Sequence, residues 1–143
     1  MIPDVVQKLR QIFSLEVVLL LLWIPGVILV FSLIADRKIA GVVAGSVFLT
    51  LPLFNIYREK NKTAQDITRL TRVGLSAIFF LLSAMPIFLL RVFNWDKSLD
   101  EISVAGVITG RELHSFSNIL YMLLIAGYLV ANYIDTKNKN GAV

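Results

Sequence analysis

Apolar residues gather in four long runs, approximately 15–35, 39–57, 73–93 and 115–134, and polar residues fall mostly between them. At about 1.5 Å per helical residue, each run can cross roughly 30 Å of hydrocarbon. The pattern predicts an all-α chain, residues 1–143 forming a single membrane domain folded as a transmembrane four-helix bundle. The first run is interrupted only by Glu16, Pro25 and a few small polar groups, and Pro25-Gly26 predicts a kink or local unwinding. This run is too long for a signal-peptide core and no small-x-small site follows it cleanly, so it is expected to be retained as the first span. Residues 4–13 differ from the rest. Val5, Val6, Leu9, Ile12 and Phe13 follow i, i+1, i+4, i+7, i+8 spacing, with Lys8 and Arg10 off that face. That is an amphipathic helix, either lying on the membrane surface or extending the first span.

The connections refine the picture. Asp36-Arg37-Lys38 is so short that the first two spans must be antiparallel neighbours. The second connection, Arg58 to Arg72, is polar and basic. The third, Asn94 to His114, is longer and holds "LDEISVAGVI", which reads as an interfacial turn of helix or a lid over the bundle; the tail "DTKNKNGAV" reads as a solvated end. Composition agrees. With 57% hydrophobic and 17% charged residues, there are too few polar positions to give each helix a solvated face, which excludes a soluble domain. The net charge of +4 points to loops beside anionic lipid, not to nucleic acid. With both termini inside, Lys8, Arg10, Arg58, Lys60, Lys62, Arg69, Arg72, Lys137 and Lys139 are cytoplasmic, nine basic residues. Outside lie five, Arg37, Lys38, Arg91, Lys97 and Arg111, so the expected topology is N-in/C-in. Tyr57, Trp95 and Tyr133 fall near span ends, at the headgroup level that suits amphipathic rings. The absence of cysteine excludes disulfides, thiolate metal sites and dithiol chemistry within the chain.

Polar residues inside spans need a reason. The fourth span is richest: His114, the single histidine, is followed at +4, +7, +14 and +18 by Asn118, Tyr121, Tyr128 and Asn132. These spacings return to one helical face, which must meet protein. Two readings stand: a cofactor or quinone pocket, or polar contacts that hold helices together. Gly41 and Gly45 form a small-xxx-small pair suited to close packing against span one or four. Glu16 reads as a buried partner for a base or, about one turn from the interface and in preference, as a residue reaching headgroups or water; Arg91 is expected to snorkel, and Arg111–Glu112 to be a solvated loop pair. There is no phosphate-cradling glycine loop. One histidine without cysteine leaves no conventional hydrolytic or zinc site.

The order of short motifs resembles the bacterial cytochrome b561 family of four-helix membrane proteins. The family's second span opens with His-Lys-Ser-x-Gly, where this chain has Arg37-Lys38-Ile39-Ala40-Gly41. "RLTRV" at 69–73 and Met85-Pro86 are similar to its third helix, and Glu112-Leu113-His114 matches the Glu-Leu-His that begins its fourth. The departures are as informative. The family holds two b-type hemes, each between two histidines on different helices, and exchanges electrons with quinones. Of four ligand positions only His114 survives: Arg37 replaces one histidine, Tyr128 stands near another, and residues 1–35 contain none. A guanidinium stays protonated and does not ligate iron. The resemblance therefore implies an integral membrane subunit on a b561-like scaffold, largely or wholly without heme. Such a subunit would be structural or accessory, without catalytic activity of its own, in a respiratory or photosynthetic electron-transfer complex of a bacterial cytoplasmic membrane. Its expected partners are the lipid bilayer and other membrane subunits of that complex. The candidate cofactor-binding residues are His114, Asn118, Tyr121 and Tyr128, for heme b, a quinone or a pigment, with His114 the one axial-ligand candidate for a heme or pigment iron or metal. The alternatives are a functional b-type cytochrome or quinone oxidoreductase, and a small transporter or channel subunit; the latter would call for charged residues deep within the spans.

Overall fold

The protein's structure is a computed structural model that describes residues 2–61 and 67–141, with side chains for 5–61 and 67–139. Lys62 of the second connection and the last two residues of the tail lie outside them. The fold is all-α apart from one small hairpin. Helix α1 (Ile2–Ile12) is followed by α2 (Leu15–Leu33) and α3 (Arg37–Lys60). Helices α4 (Ile67–Phe79) and α5 (Met85–Phe93) are joined through a π-helical turn at Phe80–Ala84, and α6 (Gly110–Gly141) closes the chain. Four helices are long and apolar enough to cross a membrane: Leu15–Leu33, Arg37–Lys60, Ile67–Phe93 and Gly110–Lys139. They contact one another in ring order, α2 on α3, α3 on α4 and α5, both of these on α6, and α6 back on α2.

The helices run past the apolar stretches that announce them. Arg58, Glu59, Arg69 and Arg72, which the sequence places in a connection, are helical, and so is Asp135–Asn140 of the expected solvated tail. Polar residues at the ends of α3, α4 and α6 meet partners on neighbouring helices, so the backbone there keeps its helical hydrogen bonds. Pro25 does not unwind α2, which is continuous from Leu15 to Leu33. The irregularity falls instead before Pro86. A proline has no N–H and crowds the carbonyl four residues back; here Met85 donates its N–H to the Phe80 carbonyl, five residues back, which widens the helix at that point.

The expected extension or surface helix at the N-terminus resolves into a separate element. Phe13–Ser14 break the chain between α1 and α2, and α1 packs on α6. Asn132 fixes this corner, its amide donating to the Ile12 carbonyl at 2.9 Å and to Ser14 Oγ at 3.0 Å. Val5, Val6 and Leu9 remain exposed on α1. Asn132→Ala is expected to destabilise this corner by about 1 kcal/mol. Amide exchange should then rise across α1 while α2–α6 stay protected; unchanged exchange would contradict the assignment.

The third connection is an antiparallel hairpin, β1 (Ser103–Val104) paired with β2 (Ile108–Thr109). Ala105 and Gly106 both have positive φ, 55° and 71°, as a tight hairpin turn demands. Its base is pinned where Gly110 N–H donates to the Ile102 carbonyl at 2.8 Å. A side chain at Gly110 would meet the Leu99 carbonyl at 2.8 Å, so only glycine lets α6 start this close. Arg111 and Glu112, expected as a solvated pair, instead begin α6: Arg111 pairs with Asp100, and Glu112 accepts from Thr109 N at 2.7 Å.

Between the four long helices lies a core of Val17, Leu20, Phe79, Tyr121, Leu124, Ile125 and Tyr128. Lipid is as apolar as these side chains, so close packing and interhelical polar contacts, not water exclusion, hold such helices together. An aromatic group contributes at the centre: Phe48 stacks on Trp23 at 5.4 Å and meets Phe79 edge-on at 4.9 Å.

Candidate functional site

The first turns of α6 carry His114, Ser117, Asn118 and Tyr121, at i, i+3, i+4 and i+7, on one face. That face lines a cavity of about 310 Å3 to which all four long helices contribute. Helix α2 supplies Trp23, Val27 and Phe31, α3 supplies Gly41, Gly45 and Phe48, and α5 supplies Ile87 and Arg91. Gly41 and Gly45, expected to press against span one or four, instead have the third span as nearest neighbour. Added side chains would meet Arg91 Nε at 3.9 Å and Phe88 at 3.5 Å.

The polar groups on this cavity divide into two kinds. Tyr121 donates its hydroxyl to the Leu20 carbonyl, and Ser117 is bonded to Ser83, so both are already used within the fold. His114, Asn118 and Arg91 make no side-chain hydrogen bond or ion pair among the described residues. The result is a pocket with apolar and aromatic walls and donors at one end, the usual form of a small-molecule site. Arg91 is partly buried and stands between this cavity and a second recess, about 550 Å3, at the end of the molecule that carries the hairpin.

The opposite end holds a buried ionic network. Arg72 pairs with Asp135 and lies 3.8 Å from Glu59. Glu16, expected to reach headgroups or water, is buried and 3.5 Å from Arg58 Nε. Thr68 donates to Asp135, and Ser76 is bonded to Tyr128 at 2.9 Å. Asn55 Nδ2 and Arg72 Nε are buried without a hydrogen-bond partner among the described residues. Three carboxylates and two guanidiniums thus tie the ends of α2, α3, α4 and α6 together. The charged residues at these helix ends are therefore paired with one another.

The donor set decides which cofactors fit. A bis-histidine heme does not: His114 is the one imidazole, and the nitrogen donor that shares its cavity, Arg91, carries a permanent positive charge. Arg37 lines the recess and not the cavity. Among the described residues no three His, Cys, Asp or Glu side chains gather into a metal site. No protein-family model, curated protein or solved structure matches this chain. The functional reading therefore rests on the geometry.

Of the sequence-derived site residues, the structure brings together His114, Asn118 and Tyr121 and leaves Tyr128 elsewhere. Tyr128 is fully buried in the other half of the molecule, on Ser76. The stripe on α6 thus serves two places, the cavity above and the ionic network below. Arg91 was missed as a cavity residue, Glu59 and Arg72 as buried ones, and the partly buried Asp135 as a partner of Arg72. A sequence signal for the network exists in the spacing. Asn55 and Glu59 are four apart; Thr68, Arg72 and Ser76 recur at fours; Asp135 extends the Tyr128–Asn132 series at +7.

Proposed function

We propose that this chain is a multi-pass subunit of a bacterial cytoplasmic membrane, N-in/C-in, on a b561-like four-helix bundle. It serves as an accessory subunit of a membrane electron-transfer complex and holds a quinone in its cavity without a heme of its own. The observation that carries this reading is the set of three unspent polar side chains, His114, Asn118 and Arg91, at one end of an aromatic-walled cavity. A quinone has an apolar ring and carbonyl oxygens that only accept hydrogen bonds. Arg91 and the Asn118 amide donate, and the His114 imidazole donates from whichever nitrogen is protonated. The flat ring suits the wall made by Trp23 and Phe48. With no thiol and one imidazole, the chain supplies neither a thiolate nor a bis-histidine ligand set for a redox metal. Its role is then to bind and anchor, and redox chemistry belongs to partner subunits. The excess of basic residues on the terminal side supports the orientation.

Protein purified from native membranes in mild detergent is expected to yield quinone on organic extraction, at near-stoichiometric amount. Its dithionite-reduced minus oxidised spectrum should lack a heme α-band. His114→Ala should weaken retention about tenfold, the value of one lost hydrogen bond of about 1.4 kcal/mol. Preparations with a heme band, or with no quinone, would contradict the reading.

A further inference from the structure

The recess beside the cavity has a charge pattern that the quinone reading does not use. Asp100 is taken by Arg111, and Glu101 accepts the Ser98 N–H at 3.2 Å. Arg37, Lys38, Arg91 and Lys97 also line the recess, and none has a carboxylate partner among the described residues. Glu101 keeps its charge, so Asp96 and Glu101 are the remaining acids on its wall. Four cations against two carboxylates leave a surplus of positive charge in a recess of about 550 Å3. Like charges gathered in one recess repel, and an anion among them relieves the repulsion. Phe31 is shared with the apolar cavity, so charged recess and apolar cavity adjoin at the end of the molecule that carries the hairpin.

We infer that this recess binds a phosphate group, with Arg37, Lys38, Arg91 and Lys97 as its cationic lining. Two sources share that chemistry: the headgroup of an anionic phospholipid in the adjacent leaflet, and free inorganic phosphate. The site overlaps the quinone reading only at Phe31 and Arg91, and substitution at Arg37 and Lys38 leaves the cavity lining intact. Both side chains are exposed in the first turn of α3, and Asp36 caps that turn through backbone N–H groups. Arg37→Gln/Lys38→Gln therefore keeps the fold, and removing cations from a helix N-terminus does not weaken it.

The full-length protein in detergent is exposed to phosphatidylglycerol, phosphatidylcholine or inorganic phosphate. Retained lipid is counted by native mass spectrometry, and phosphate binding is read by titration calorimetry. Phosphatidylglycerol is expected to be retained in preference to phosphatidylcholine. The double variant should lose about 30-fold in affinity, taking about 1 kcal/mol for each basic residue near a charged headgroup. Selective lipid retention without phosphate heat identifies the headgroup as the source; phosphate heat that falls in the variant identifies the free anion, and either upholds the site. Equal retention of both lipids with no phosphate heat, or binding unchanged in the variant, overturns it. Quinone content measured on the same preparations separates failure of this site from failure of the cavity reading.

Discussion

Arg72→Met is expected to destabilise the helix assembly by about 3–5 kcal/mol, the largest effect of any single substitution outside the cavity. Arg72 is 6% exposed and serves carboxylates from two helices, Asp135 of α6 and Glu59 of α3. Methionine fills much of the volume but leaves both carboxylates without their cation. Glu16 and Arg58, 3.5 Å apart, complete the cluster. Lysine is expected to recover only part of the loss, because one ammonium lacks the forked geometry that reaches two acids. Arg72→Met combined with Asp135→Asn should be less damaging than Arg72→Met alone, since it removes the uncompensated charge together with the cation. Unfolding by sodium dodecyl sulfate in mixed micelles measures these differences. A loss below about 1 kcal/mol for Arg72→Met would show that the pairs are solvated and weak.

Gly127→Val should cost about 2 kcal/mol through overpacking at the contact between α4 and α6. A Cβ placed on Gly127 overlaps the Leu75 side chain, and the remaining methyls of valine must find room in the same place. The overlap is with the far end of a leucine, so Leu75 is displaced before the backbone is. Leu75→Ala in the Gly127→Val background should therefore restore part of the stability, whereas Leu75→Ala alone should lower it. The same micelle titration tests the pair. Additive losses would place the strain elsewhere than at this contact.

The architecture was legible because membrane spans write themselves as long apolar runs, and all four helices begin or continue through those runs. Their true ends were not. Glu59, Arg72 and Asp135 look like loop and tail residues when only hydropathy is read, yet each sits on a helix where a partner from another helix meets it. The spacing marks a polar face on α4 and on α6, but neither segment alone says that the two faces pair. The same limit applies to Gly127, whose need for smallness comes from Leu75, far away in sequence. On α6 the periodicity correctly marked a protein-facing stripe, but a stripe does not say how many sites it serves. His114, Asn118 and Tyr121 meet the cavity, whereas Tyr128 and Asn132 belong to the lower half. Arg91 read as a residue reaching for the interface; only the convergence of four helices puts it at the mouth of a cavity.

Fluorescence of Trp23 tests the central claim most directly. The chain has two tryptophans, and Trp95→Phe leaves Trp23, on the cavity wall, as the sole emitter. Titration of this variant in detergent with a short-chain quinone is expected to quench Trp23 saturably, and His114→Ala should shift the midpoint about tenfold upward, as one lost hydrogen bond of about 1.4 kcal/mol requires. Quenching that rises linearly without saturation, or a midpoint indifferent to His114, would contradict a quinone in this cavity.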